Sequence, residues 1–371
     1  MNRTAPFVIL FLFALTSFAQ STDPALAKGM SHFEAKRYEE AKIAFTEIIA
    51  LQPKNKEAYN KRGEAKNMME DYYGAIGDYD TAIELDPKFA EAFNNRGVAK
   101  YNLGDDYAAI ADYEKAILKN PDYAEAFANR GLAYYDIDEL EAAFFDFTKA
   151  IELDPKDADK FFNRAVIRAE LQEYLSAIDD YTKSLELDDS DPDVYNFRGV
   201  ARYNIGDLDG ALSDYNKAIE MDSTDALKYD NRALVHGTLE NHEAALKDYN
   251  KSIALFPDDP STYNLRGVVK YLLDKYEASI EDYSMAIGIE PDNSIYYDNR
   301  ALSKIELEDY NGAIEDYSIS IELYPNDAEI YLQRGLIKFK IGDNYDGCLD
   351  LKVAQELGHP DAKSEIKKNC K

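Results

Sequence analysis

The sequence predicts an all-α protein built as an array of helical hairpins. Two observations predict it: a fixed 34-residue period, and apolar residues that recur at the three-to-four-residue spacing of helices. Nearly every residue from 22 to 361 belongs to one of ten copies of the repeat. The prolines that mark the period are Pro53, Pro87, Pro121, Pro155, Pro257, Pro291 and Pro325.

Small side chains alternate with large ones at fixed positions of the repeat. When a copy is numbered from Ala90, positions 8, 20 and 27 are Gly97, Ala109 and Ala116, and position 24 is Tyr113. The other copies keep this pattern with few exceptions, and position 4 is aromatic from the second copy on. Small residues opposite large ones predict two closely packed helices, in which a larger side chain should cost about 1–3 kcal/mol.

Turn and capping residues divide each copy into two helices. A glycine followed by aspartate predicts a left-handed helix end and then an N-cap. This pair occurs as Gly104-Asp105, Gly206-Asp207 and Gly342-Asp343. Between copies, capping aspartates are expected at Asp157, Asp191, Asp225, Asp259 and Asp327, with Pro192 and Pro260 in the first helical turn.

The combination resembles the tetratricopeptide repeat (TPR), with its period of 34, small residues at positions 8, 20 and 27, and proline at 32. The resemblance implies a right-handed α-solenoid of about ten TPR helical hairpins, and a short capping helix is expected over 362–371. We expect one continuous array over 20–361. Its ten units are 22–55, 56–89, 90–123, 124–157, 158–191, 192–225, 226–259, 260–293, 294–327 and 328–361.

The first 19 residues lie outside the array and are predicted to be a secretory signal peptide. Arg3 gives a basic start, the segment from 6 to 18 is apolar, and Ser17-Phe18-Ala19 is typical of a cleavage site. The apolar run is short for a membrane span, and no later stretch is apolar enough. We therefore expect a mature protein that begins near Gln20, in the periplasm or outside the cell.

The chain has two cysteines, Cys348 in the last unit and Cys370 in the expected terminal helix. An oxidising compartment favours a disulfide that ties this helix to the array. A redox pair is the alternative, but the CxxC spacing is missing.

The formal charge of −29 argues against nucleic acid or an anionic membrane as partner. None of the four histidines belongs to a catalytic or zinc motif, and no phosphate-binding glycine loop occurs. The acidic run 188–193 lacks the glycine and glutamate of a calcium loop, so we interpret it as capping residues. The sequence predicts no enzyme, no cofactor and no metal.

Arginine recurs at position 7 and aspartate at position 23, from Arg62 and Asp78 onward, nine times each. The common TPR pattern has apolar or aromatic residues at these places. Because charged residues of opposite sign replace both of them, and buried charges are normally paired, we expect a partly buried Arg–Asp ladder, within or between units. A row of anion-binding arginines is the functional alternative.

In TPR proteins, positions 2, 5, 9, 12 and 13 of the first helix commonly face a concave groove. Position 2 is often acidic here, position 5 often amide or acid, and position 12 often aromatic. Amides can hold a peptide backbone and tyrosines give contact area, although the tyrosines can equally pack between adjacent first helices. The partner-binding candidates are Asn60, Asn94, Tyr101, Tyr135, Asn196, Tyr203, Asn264 and Tyr271.

Together these features predict a monomeric, exported, non-enzymatic scaffold that binds protein or peptide partners along the concave surface. A structural or self-associating solenoid of the cell envelope is the alternative.

Overall fold

A computed structural model describes residues 24–370, in which the chain forms 21 helices and no strand. The predicted signal peptide lies outside the described residues. The first ten helices are α1 Pro24–Glu34, α2 Tyr38–Leu51, α3 Lys56–Met68, α4 Tyr72–Leu85, α5 Ala90–Asn102, α6 Asp106–Lys119, α7 Ala124–Asp136, α8 Leu140–Leu153, α9 Ala158–Glu170 and α10 Tyr174–Leu187. The others are α11 Pro192–Asn204, α12 Leu208–Met221, α13 Ala226–Thr238, α14 His242–Leu255, α15 Pro260–Leu272, α16 Tyr276–Ile289, α17 Ser294–Glu306, α18 Tyr310–Leu323, α19 Ala328–Lys340, α20 Asn344–Glu356 and α21 Ala362–Asn369.

Contacts between residues divide the chain into two compact bodies, an N-terminal body up to Ala201 and a C-terminal body from Arg202. In the N-terminal body each odd helix from α1 to α9 packs against the even helix that follows it, and each even helix from α2 to α8 packs against the next first helix. The C-terminal body repeats both contacts from α13 to α20, and α21 packs against α20. These are the predicted helical hairpins. Continuity of the array between the two bodies stays a prediction.

The core of a hairpin is one aromatic ring lying against a residue without a side chain. Tyr113 on α6 is almost wholly buried, and a Cβ added to Gly97 on α5 would lie 2.6 Å from its ring. Phe147 stands in the same way against Gly131. Fully burying a phenylalanine side chain contributes about 1.5–3 kcal/mol. The predicted small-to-large packing is confirmed at these positions.

The turn inside each hairpin places one residue in the left-handed region. Gly104, Gly206 and Gly342 have φ values of +78°, +81° and +85°, as the Gly-Asp pairs predicted. Asp138 and Glu240 take the same conformation in other hairpins, at +70° and +59°. A side chain is strained there, because Cβ approaches the following carbonyl oxygen.

Aspartates cap the amino-terminal ends of helices, as predicted. Oδ1 of Asp105 accepts from the backbone N–H of Ala108 at 3.1 Å, which satisfies one orphan donor of α6. The capping aspartates between hairpins act in the same way on the first helices that follow them. They are Asp157, Asp191, Asp225, Asp259 and Asp327.

The last hairpin is covalently joined to the terminal helix. Cys348 on α20 and Cys370 after α21 form a disulfide, with Cα atoms 5.7 Å apart. Ile366 packs on the cluster of Leu332 and Leu351 beside it. Among the described helices, none is long and apolar enough to cross a membrane.

Candidate functional site

The repeated arginine and aspartate meet inside the hairpin. In the α5–α6 hairpin, Nε and Nη2 of Arg96 donate to the two carboxylate oxygens of Asp112 at 2.7 and 2.6 Å. Asp112 is fully buried. The predicted ladder is thus confirmed, and the pairing is within units. The pairs are Arg62–Asp78, Arg96–Asp112, Arg130–Asp146, Arg164–Asp180, Arg232–Asp248, Arg266–Asp282, Arg300–Asp316 and Arg334–Asp350.

Each of these arginines also contacts its own helix and, in most cases, the preceding hairpin. The Arg266 guanidinium lies 5.5 Å from the ring centre of Tyr263 on the same helix. Its Nη1 donates to Asn250 on α14 at 2.7 Å, while Nε and Nη2 bind Asp282 on α16. One guanidinium therefore joins two second helices. The arginines are therefore bonded to groups of the protein itself. The structure favours the predicted Arg–Asp ladder over a row of anion-binding arginines.

A second cation, at position 11, reaches the same aspartate in most hairpins. Nζ of Lys270 lies 2.7 Å from Asp282, and Nη1 of Arg168 lies 2.7 Å from Asp180. The ladder predicted from the sequence did not include these cations. Their co-occurrence with aspartate twelve residues later is the signal that was available.

The cations around the buried aspartate differ between two neighbouring hairpins, and the pKa of the aspartate differs with them. Burial alone would raise the pKa of Asp112, but hydrogen bonds from Arg96 and Lys100 outweigh it, and the pKa is lowered. The next hairpin has Tyr134 in place of the lysine. Burial then raises the pKa of Asp146 in spite of its bonds to Arg130.

Two of the amide candidates are buried between first helices. Asn60 is fully buried, donates to Glu64 and Glu91, and accepts from Asn95. Asn94 is 3% exposed and accepts from Asn129 on the next first helix. In this structure their amides join neighbouring hairpins, and sequence spacing did not foresee that burial.

The remaining amides are more open. Asn264 accepts from Asn299 at 2.8 Å and, like Asn196, is only partly buried. Thus the amide row is mixed, with its members in the first hairpins hidden and those further along partly accessible.

The tyrosine candidates also contact the following first helix. Tyr101 donates to Asp136, the Tyr203 hydroxyl lies 3.2 Å from that of Thr238, and Tyr271 lies 3.5 Å from Glu306. Tyr135 packs on the cluster that contains Tyr181. Packing between adjacent first helices, the alternative left open, is present in the structure. Binding of a partner by the same rings stays a prediction.

A row of carboxylates on the first helices remains partly exposed. They occupy position 2 of successive hairpins in the N-terminal body and are Glu57, Glu91, Glu125, Asp159 and Asp193. The C-terminal body has Leu227, Ser261, Ile295 and Glu329 instead. Burial raises the pKa of Asp159, and the nearby Asp157, Asp188 and Asp191 raise it further. We call this row of five residues the acidic row.

The described residues include no group of histidine, cysteine and carboxylate side chains that would hold a metal ion. The acidic run caps and turns the chain, since Asp188 accepts from the N–H of Ser190 and Asp191 from that of Asp193. His359 pairs with Glu329 at 2.8 Å.

Paired helices, a repeated aromatic core and a repeated buried ion pair define a helical-repeat protein. Tetratricopeptide-repeat models match residues 25–55, 90–123, 124–157, 162–226 and 231–294, and a TPR-repeat model matches 68–104 and 302–342. The chain belongs to the tetratricopeptide-repeat family. Proteins of this family bind protein or peptide partners and are generally scaffolds rather than enzymes.

Several solved structures are similar to this chain. The C-terminal part of a TPR repeat-containing protein from Cytophaga hutchinsonii is 20% identical, with 65% of this chain and 98% of that chain covered and a TM-score of 0.51. YrrB, described as a TPR protein with an unusual peptide-binding site, is 25% identical over 50% of this chain and 95% of its own, with a TM-score of 0.46. MamA is 27% identical over 45% and 92%, with a TM-score of 0.42. The comparison with curated proteins gave no match.

Proposed function

We propose that this protein is an exported, non-enzymatic scaffold that binds a basic, extended segment of a partner protein along its first helices. The acidic row carries the proposal. The ladder aspartates are paired inside hairpins, whereas the acidic row has five partly exposed carboxylates at the repeat position that commonly faces the groove in TPR proteins, and Glu91 among them is also bonded to Lys61 at 2.8 Å. The raised pKa of Asp159 reflects burial and the negative charge gathered around it.

The negative charge of the acidic row favours a basic partner over other partners and speeds its association. Complementary charge steers a partner to its site and raises the association rate, most strongly at low salt. Partly exposed Asn264, Tyr203 and Tyr271 supply amide and aromatic contacts for the same kind of segment on the C-terminal body. We propose a monomer, because two copies would bring two acidic surfaces together.

Photo-crosslinking tests the binding surface. A photoreactive residue at Asp159 in the acidic row is compared with one at Glu220, which is exposed on the second helix α12 of the C-terminal body. We expect capture from native extracts at position 159 only, with the crosslinked peptide rich in lysine or arginine. The charge reversal Glu125→Lys should reduce the capture without changing the circular dichroism spectrum. Equal capture from both positions would contradict the proposal.

Export is tested separately. The protein recovered from its native cells is fractionated and its amino terminus is determined. We expect a chain that begins near Gln20 outside the cytoplasm. A cytoplasmic chain that retains residues 1–19 would overturn this part and leave the binding proposal standing.

A further inference from the structure

The second helices of the N-terminal body expose large apolar side chains in register. Tyr73, Tyr107 and Leu175 are the second residues of α4, α6 and α10, and they are 78%, 74% and 70% exposed. On α8 the apolar residue is Phe145, one turn further along and 64% exposed. We call these four residues the outer apolar stripe.

The repeat itself shows that the fold does not need these residues. Four of the five corresponding positions in the C-terminal body are exposed and polar, Asp209, Glu243, Glu277 and Asn311, and the fifth is Tyr345. Both bodies form the same hairpins with the same buried core. Scattered surface apolar residues are ordinary, but an aligned set on neighbouring helices indicates a contact surface.

The helices that carry the stripe are adjacent. Arg96 donates to Asp80 on α4 and to Asp112 on α6, so a single guanidinium spans the two helices that carry Tyr73 and Tyr107. Arg164 likewise bonds Thr148 on α8 and Asp180 on α10. A bound α-helix with apolar residues in heptad spacing places them in a row about 10.5 Å apart, and such a row can lie across the stripe.

Charge around the stripe determines the occupant. Apart from the buried ladder aspartates, α4, α6, α8 and α10 carry eight carboxylates and four lysines. The acids are Asp80, Glu84, Asp106, Glu114, Glu141, Glu152, Asp179 and Glu186. An anionic membrane or a second copy of this chain would bring like charges together. A segment with lysine or arginine beside its apolar face complements the surface.

We propose that the outer apolar stripe is a second docking surface, which binds a basic amphipathic helix of a partner protein. It lies on the second helices and is independent of the acidic row on the first helices. The scaffold thereby holds two different segments on two faces of its N-terminal body. Binding of an amphipathic helix depends on its apolar anchors, with the surrounding charges setting orientation and rate.

The test uses a labelled helical peptide of leucine and lysine with one apolar face, and its affinity for the full chain is measured by fluorescence anisotropy. Two further probes are a scrambled peptide of the same composition and a leucine–glutamate peptide. We expect the variant Tyr73→Glu/Tyr107→Glu to bind the lysine peptide at least about ten-fold more weakly. The added charges attract a basic peptide, so a loss of affinity reports the lost apolar contact.

Tyr345→Glu is the matched control, because Tyr345 is the second residue of α20 and is 75% exposed on the C-terminal body. Its affinity should equal that of the unmodified chain. Retained affinity in the double variant, or equal binding of the scrambled or glutamate peptide, overturns the proposal. Binding to anionic vesicles through the same tyrosines, or association of the chain with itself that the double variant abolishes, would overturn it in favour of those occupants.

Discussion

Nζ of Lys100 lies 2.6 Å from Oδ2 of Asp112, a buried carboxylate that also accepts from Arg96 and, at 3.1 Å, from Lys115. Hydrogen bonds from Arg96 and Lys100 keep the pKa of Asp112 below its ordinary value of 3.8. The aspartate therefore contributes stability that is present above that pH and is lost as the pH falls through the lowered pKa. The next hairpin has Tyr134 in place of the lysine, and there the pKa of the buried Asp146 is raised instead.

Tyr134→Lys should reverse the titration of Asp146. At present its pKa is raised by burial, so ionisation destabilises the fold and stability falls as the pH rises through that pKa. With a lysine beside it, the pKa of Asp146 should fall, and stability at pH 7 should increase by about 1 kcal/mol. An NMR titration of the carboxyl and urea melts check this. Tyr134→Met is the uncharged control, and an equal pKa in both variants would contradict the prediction.

Asp180→Ala should destabilise the N-terminal body strongly. Arg164 and Arg168 both donate to this carboxylate, and its removal leaves two partly buried cations unpaired. Loss of one partner of a buried ion pair costs about 3–5 kcal/mol. Thermal and denaturant unfolding by circular dichroism measure the change. The neighbouring Asp179→Ala is the control, since its side chain is exposed, and an unchanged melting temperature at position 180 would count against a structural ladder.

Asp230→Asn should remove a pH dependence from the C-terminal body. Burial raises the pKa of Asp230 to about 6, although it accepts a hydrogen bond from Thr262 at 2.9 Å. The stability it contributes is complete below pH 3.8 and is lost as the pH rises through about 6. The variant should gain up to about 3 kcal/mol over the unmodified chain at pH 8 and almost nothing at pH 4.

Melts of both chains across pH 4–8 give the comparison. Asp258→Asn, at an exposed site in the same body, should change nothing at either pH. A gain that is the same at pH 4 and pH 8 would show that burial of charge is not the cause.

Opening the disulfide should loosen the terminal helix first. The bridge joins residues 22 positions apart, and a loop of that size corresponds to about 3 kcal/mol of stabilisation. Cys348→Ala/Cys370→Ala should speed amide exchange in α20 and α21. Exchange in α13 and α14 is the internal reference and should not change. Uniform acceleration throughout the C-terminal body would mean that the bridge acts globally rather than at the end.

Contacts inside a hairpin could be predicted from spacing. Repeat positions 8 and 24, which are Gly97 and Tyr113 in one copy, lie sixteen residues apart, and so do positions 7 and 23, which are Arg96 and Asp112. Because these spacings recur along the chain, the period alone predicts both pairs. The left-handed turn at Gly104 and the cap at Asp105 are equally local, because both depend on the conformations that these residue types favour.

Burial between hairpins was harder to foresee. Asn60 is one of the predicted partner-binding residues, yet it is enclosed by Glu64, Glu91 and Asn95 from two first helices. How deeply one hairpin sits against the next depends on side-chain volumes on both, and a repeat period does not encode that depth. Lys100 and Asp112 lie twelve positions apart in one hairpin, so their pairing, which the sequence analysis missed, could have been predicted from spacing.

The guanidinium that joins two second helices has a consequence for the gene. Each copy after the first encodes its own arginine and aspartate, and most copies also encode the hydrogen-bond acceptor that the following arginine uses, so a whole copy inserted or removed by recombination leaves these junctions matched. Array length can then drift by 34 codons at a time while adjoining copies stay compatible. Substitutions on the solvent side are free to diverge independently, so lengthening the array and acquiring new contacts become separate evolutionary steps.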